Sequence, residues 1–327
     1  MTTNPAPYPA AVLGGWRYRA VLWSVVLAAA CYLGFALWSG WQDVVHAVAK
    51  VGLAGVVIVL LLSLVNYGLR FVRWQIYLKA MEHPVPWRPS LRIYLAGFAL
   101  TTTPGKAGEA IRGVLLKDWG VPYPTSLAAF LSERLSDLLA IVVLTLFGLT
   151  MYPAARPLSV AGAVAVLAAL AVFSSRRLLA RLHDAIPGSA RVPTLLRHLI
   201  EILLQARRCH APVLLIAATG LSLLAWPAEA WGFHLILQWM GLSVPLAFAV
   251  FVYAASMLAG ALSFMPGGLG GAEAAMVTLL VWANVGASEA VAAAILIRLA
   301  TLWFAVCIGV VAASLDHAAH RFGLSGR

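Results

Sequence analysis

Charge is what this chain has least of: Asp, Glu, Lys and Arg make up 11% of its 327 residues, hydrophobic residues 62%, and the mean hydropathy is +0.89. So little polar surface cannot cover a water-soluble globule. A soluble enzyme, a nucleic-acid-binding domain and a disordered regulator are therefore excluded, and an integral membrane protein remains. Acidic residues are the scarcest, twelve in all. They form no aspartate-rich metal motif, and no nucleophile stands with an attendant base, so neither a metal, a cofactor nor an enzymatic reaction is expected. The three cysteines, Cys31, Cys209 and Cys307, are too few for a disulfide framework, and two of them lie in apolar runs as ordinary small buried side chains do. The histidines are scattered; His234, the one inside an apolar run, is expected to hydrogen-bond a neighbouring helix.

Long apolar runs are what the chain has instead. A hydrocarbon core of about 30 Å takes about 20 residues of helix, and windows of that kind stand at 20–38, 51–69, 125–150, 158–175, 211–238 and 290–315, about six full spans. Arg17 and Arg19, an apolar run and AAAC at 28–31 have the outline of a lipoprotein signal. Ala28 is too small for that motif and the run continues to Trp38, so the segment reads as an uncleaved first span.

The net charge of +11 then reports topology rather than a polyanionic partner. Segment 176–208 holds Arg176, Arg177, Arg181, Arg191, Arg197, Arg207 and Arg208 against Asp184 and Glu201, and segment 70–92 holds Arg70, Arg73, Lys79, Arg88 and Arg92 against Glu82. The links 39–50 and 151–157 carry one base each, Lys50 and Arg156. Basic loops stay on the cytoplasmic side, which puts both termini, 70–92 and 176–208 inside and the two poorer links outside a cytoplasmic (inner) membrane. Segment 176–208 is expected to skim the membrane on anionic phospholipid headgroups. Trp16, Trp38, Trp41, Trp87, Trp119, Trp226 and Trp239 fall near span ends and read as an interfacial belt.

Two stretches do not read as simple spans. TTTPGKAGEAIR (101–112) interrupts one and FMPGGLGGAE (264–273) the other. Pro removes a backbone donor and Gly permits positive φ, so a helix stops and turns at Pro104-Gly105 and at Pro266, Gly267, Gly268, Gly270 and Gly271. Irregular backbone survives at membrane depth only where protein or a watery cavity satisfies it, so each stretch reads as a broken, re-entrant helical hairpin. The two belong to an internal repeat. Met81, Val85, Pro86 and Tyr94 recur 159 residues later as Met240, Val244, Pro245 and Tyr253. Glu109 recurs 164 later as Glu273, and each Glu is followed 25 residues on by an Arg-Leu pair, Arg134-Leu135 and Arg298-Leu299. The charge bias makes the first hairpin enter from the cytoplasm and the second from outside. The chain, 1–327, is thus expected to be one all-α polytopic membrane domain with inverted-topology repeats at 51–150 and 211–315 and the basic connection at 176–208 between them. Such repeats with broken helices meeting near mid-membrane suit alternating access, the substrate sitting where the breaks converge.

An arginine at bilayer depth is costly and must face protein or water, which singles out Arg134 and Arg298. A guanidinium fork matches a phosphate or carboxylate, so both are candidates for an anionic substrate group. The alternative is structural pairing, Arg134 with Asp137 and Arg298 with Glu273. Glu133 and Asp137 share one helix face, and Arg134, with Arg112 or Lys106, is expected to neutralise them. Glu109 and Glu273 follow the breaks closely and either cap short helices or meet substrate. Lys106 and Arg112 make the first break electropositive, whereas the second has glycine where the first has Lys106, so two equivalent basic gates are not expected.

NYGLRFVRWQIYLKAM (66–81), Thr-Pro-Gly-x-x-Gly-Glu (103–109) with Ile111-Arg112, Ser-Glu-Arg-Leu-x-Asp (132–137), Pro-Gly-Gly-Leu-Gly-Gly-Ala-Glu (266–273) and the late Arg-Leu together resemble the lysylphosphatidylglycerol synthase transmembrane, or flippase-like, family over about 20–315. In two-part members of that family the membrane domain moves an aminoacylated phosphatidylglycerol between leaflets and a cytosolic domain makes it. Stand-alone members are associated with assorted lipids, among them glycosylated polyprenyl phosphates and hopanoids. With the sequence ending at Arg327, the resemblance implies lipid translocation without synthesis. The expected function is movement of an anionic or amphipathic phospho- or glycolipid between leaflets through a polar cavity, with a membrane lipid as substrate partner, no nucleic acid, and a homo-oligomer left open. A small-solute or ion transporter on the same scaffold and a membrane enzyme acting on a lipid-linked phosphate are the alternatives.

Overall fold

The computed structural model describes residues 41–102, 109, 111–149, 175–186, 191–263, 265 and 267–321, with isolated positions at 34, 157, 160–161, 164 and 168. Among them it is all-helical. The elements are α1 (Trp41–Ala80), α2 (Trp87–Phe98), α3 (Arg112–Leu116), α4 (Tyr123–Leu149), α5 (Arg176–Asp184), α6 (Arg191–Ala206), α7 (Pro212–Trp239), α8 (Leu246–Leu262), α9 (Gly271–Trp282), α10 (Ala287–Arg298), a π-helical turn at Leu299–Trp303, and α11 (Phe304–Arg321). Among the described residues three stretches are long and apolar enough to cross a membrane, Gln42–Ala80, Pro212–Trp239 and Ala287–Leu315. α4 has the length, with its three charges at Glu133, Arg134 and Asp137. The spans expected at 20–38 and 158–175, and Pro104, Gly105, Lys106 and Pro266, lie outside the described residues, apart from the isolated positions.

α1 corrects the sequence reading at both ends. The link expected at 39–50 is helical from Trp41, and the helix is kinked where Gly52 takes φ 67°. Val44, Ala47 and Val51, spaced for one helical face, are buried while their neighbours are exposed, so this first segment is amphipathic. The loop expected from 70 instead begins after Ala80, because no Gly or Pro interrupts 69–80 and the charges of Arg70 and Arg73 are met by other helices. Segment 176–208 is two amphipathic helices, α5 and α6, followed by a 3-10 turn at Arg207–His210.

The turns after α1 and α7 match. His83 N–H donates to Leu78 O at 3.0 Å, and Leu242 N–H to Leu237 O at 2.9 Å, a six-residue closure made where the chain enters the left-handed region at Glu82 (φ 63°) and Gly241 (φ 84°). The next helix starts after Pro86 in one case and Pro245 in the other. All these positions differ by 159.

Packing follows the same order. α1 lies along α7, α8 lies on both α9 and α4, and α2 lies on α11. Glycines allow the close crossings. A Cβ on Gly148 of α4 would stand 2.9 Å from Phe251 Cα of α8, and one on Gly309 of α11 would stand 2.1 Å from the Ala99 nitrogen at the end of α2. One apolar cluster gathers α7 to α10 with Val44, Ala47 and Val51. A second gathers the later half of α1, α2 and the start of α4 with Ala206 and Cys209.

Candidate functional site

α1, α3, α4 and α7 enclose a buried ionic network. Asp137 on α4 meets Arg73 of α1 at 2.7 Å, Arg134 at 3.2 Å and Arg70 of α1 at 3.3 Å. It also accepts a hydrogen bond from Trp226 Nε1 of α7 at 3.1 Å. Glu133 meets Arg112 at 2.9 Å and Arg73 at 3.8 Å. Glu109 meets Arg112 at 3.3 Å and Arg134 at 3.6 Å, and accepts from Thr101 Oγ1 at 3.2 Å. Arg73 also donates to Ser222 Oγ, so the network ties α1 to α7.

Charges so deep persist only because each is paired; removing one partner of such a set leaves the other uncompensated in low dielectric. Aromatic rings add to the pairing. The Arg112 guanidinium lies 4.6 Å from the Trp74 ring centre and 4.9 Å from that of Tyr94, and Arg70 lies 5.7 Å from that of Trp226. Gly97 makes room for Arg112: a Cβ there would meet Arg112 Cγ at 2.8 Å. Four guanidinium groups face three carboxylates, so the set carries one excess positive charge among the described residues. Arg134 is its accessible edge, with 22% of its side chain exposed while those of Arg73 and Glu133 are sealed.

A second, smaller constellation stands at the other break. Arg298 Nε pairs with Glu273 Oε1 at 2.7 Å, and its Nη2 donates to the Gly267 carbonyl at 2.7 Å. Glu273 Oε2 accepts the Gly270 N–H at 2.7 Å, which caps the start of α9. Gly267, Gly268 and Gly270 all take positive φ, and Gly268 rests against the Gly260 backbone of α8. Gly271 opens α9. A Cβ on Gly267 would be 3.3 Å from Thr102 Cα, so the second break abuts the chain just where the first begins. Elsewhere on α7, Glu229 accepts the Tyr253 hydroxyl at 2.5 Å.

Of the residues singled out in the sequence, Arg112, Glu109, Glu133, Arg134 and Asp137 come together, and Glu273 with Arg298 forms a separate pair. Both pairings anticipated as structural alternatives, Arg134 with Asp137 and Arg298 with Glu273, are present. The cation at the second break is Arg298, supplied by α10 rather than by the break itself. Sequence reasoning missed Arg70, Arg73, Ser222 and Trp226. The first two were assigned to a cytoplasmic loop by charge alone, yet NYGLRFVRW places them one helical turn apart on an unbroken helix, and Glu133 with Asp137 required more than Arg134 to balance them. Trp226, read as part of an interfacial belt, is buried.

Comparison with known proteins finds two kinds of likeness. A family model described as the lysylphosphatidylglycerol synthase TM region matches residues 21–309. Two proteins of Methanothermobacter thermautotrophicus, each described as a UPF0104 membrane protein, are similar over most of their length. One is 23% identical over 305 residues, 86% of this chain and 89% of the relative; the other is 22% identical over 321 residues, 88% and 93%.

Proposed function

Because the chain belongs to the lysylphosphatidylglycerol synthase transmembrane family, we propose that it carries a lipid with an anionic headgroup between leaflets, with Arg134 as the first contact of that headgroup. The observation that carries this reading is the excess positive charge of the buried network together with the partial exposure of Arg134 at its edge. A network already paired to neutrality has no use for an added anion. This one gains from it, since Glu109 and Asp137 both reach Arg134 through the single nitrogen Nη2, at 3.6 and 3.2 Å, which leaves the guanidinium further donors for a phosphate.

The same reading makes 51–150 and 211–315 inverted repeats around a pseudo-two-fold axis. Three features support it. Asn66 Nδ2 donates to the Ala225 carbonyl at 2.9 Å across a separation of 159, the repeat offset itself, as residues beside a two-fold axis meet their own equivalents. In the turns after α1 and α7 the backbone bonds donated by Met81, Glu82 and His83 recur at Met240, Gly241 and Leu242. The packing also maps onto itself on exchange, α2 on α11 becoming α8 on α4. With both termini and 176–208 on the cytoplasmic side of the inner membrane, the basic helices α5 and α6 rest on anionic headgroups and no covalent chemistry is performed.

The test is native mass spectrometry of protein released from membranes of mixed lipid. The wild type is expected to retain an anionic lipid enriched over the bulk and Arg134→Gln to lose it. Retained lipid that mirrors the bulk in both proteins contradicts the proposal.

A further inference from the structure

Resting on that reading, we propose that the pairs Glu109–Arg134 and Glu273–Arg298 are two gates that work in opposition, one open to the headgroup while the other is shut. Both pairs join the carboxylate after a break to the arginine 25 residues on, so they match in position, although the first also has Arg112 on Glu109 and Asp137 on Arg134. They are not in the same state. The first stands at 3.6 Å with Arg134 22% exposed. The second stands at 2.7 Å with Arg298 5% exposed, and Arg298 is further locked to the Gly267 carbonyl. Equivalent pairs in unequal states are what a two-state transporter must show at any instant; exchange of the two conformations gives the opposite-facing state.

The link between the gates is α1. Arg70 and Tyr67 are one turn apart on it and so share a face. Arg70 reaches Asp137, the carboxylate that also holds Arg134. The Tyr67 hydroxyl donates to the Thr301 carbonyl, three residues beyond Arg298. Thr301 lies within the π-helical turn Leu299–Trp303, whose looser winding can return to α geometry and re-aim Arg298. In the first half the helix runs through Arg134 without such a turn. Movement of α1 that tightens Arg70 on Asp137 would therefore act on both gates at once, and the double variant below tests that coupling.

The experiment uses the full chain in lipid nanodiscs, its native cysteines replaced by alanine. Pairs of spin labels at Lys117 and Val143 report the first gate, and pairs at Thr278 and Val311 the second, by pulsed electron resonance. Glu273→Gln is expected to lengthen the second distance and shorten the first. Glu109→Gln is expected to leave only the state described here. Adding Tyr67→Phe to Glu273→Gln should lengthen the second distance while the first stays put. If Glu273→Gln does not fold, Arg298→Lys, which keeps the charge and loses the Gly267 bond, must give the same reciprocal shift. A change confined to the second gate, or no change at either, overturns the proposal. Leaflet exchange measured on the same variants separates the two readings: transport without reciprocal distances sinks the gates alone, and reciprocal distances without lipid movement sink the lipid.

Discussion

Arg73 and Arg134 hold the same carboxylate, yet their surroundings assign them different work. Arg73 is sealed and bonded to both Asp137 and Ser222, so Arg73→Gln leaves Asp137 and Glu133 short of compensation at depth and is expected to cost about 3–5 kcal/mol. Arg298→Gln, which strands Glu273, falls in the same class. Arg134→Gln removes a partly exposed group from a carboxylate that keeps Arg70, Arg73 and Trp226, so the protein should melt close to the wild-type temperature while headgroup binding is lost. Thermal unfolding of the three variants in one detergent ranks them. At this scale the sequence shows its reach and its limit. Arg134 and Asp137 could be named because an intramembrane charge is costly wherever it falls, and Glu109 and Arg112 because they stand beside the first Pro-Gly break. Arg73 could not, because a charge near the end of an apolar run is indistinguishable from a loop charge until the helix carrying it is known to continue to Ala80.

The elements carry their own tests. Helix crossings at Gly148 and Gly309 leave no room for a methyl group, so Gly148→Ala and Gly309→Ala are expected to destabilise by about 1–3 kcal/mol each. Gly220→Ala on α7, where nothing lies within 4 Å, should be neutral or slightly stabilising. Unfolding midpoints of the three, compared side by side, check the packing. The turn after α1 offers the opposite sign. Glu82 sits at positive φ where the matching turn has Gly241, so Glu82→Gly should stabilise by about 0.5–1 kcal/mol despite losing an exposed contact to Arg208. The turn at 267–270 was legible because Gly punctuates a chain whatever surrounds it. The π turn after Arg298 was not, since LATLW is an ordinary helical pentapeptide and its winding answers to Tyr67 and the packing around it.

At the scale of the whole molecule, the 159-residue offset was readable in Met, Val, Pro and Tyr and returns in the bonds of the turns after α1 and α7, whereas the network joining α1, α4 and α7 through Arg73, Ser222 and Trp226 was not. Contacts between distant elements leave no local pattern. Orientation is tested by cysteines at 154 and 190 labelled with an impermeant reagent: they are expected to react from opposite sides of the membrane, and reaction from one side removes the inverted arrangement. The central claim is lipid movement itself, and its most direct measurement is leaflet exchange in proteoliposomes carrying a fluorescent anionic phospholipid whose outer-leaflet fraction is bleached by an impermeant reductant. The wild type is predicted to make nearly all the fluorophore bleachable, with Arg134→Gln reduced to the plateau of protein-free vesicles while remaining folded. A wild-type plateau equal to that of protein-free vesicles, or full exchange by Arg134→Gln, would contradict the account.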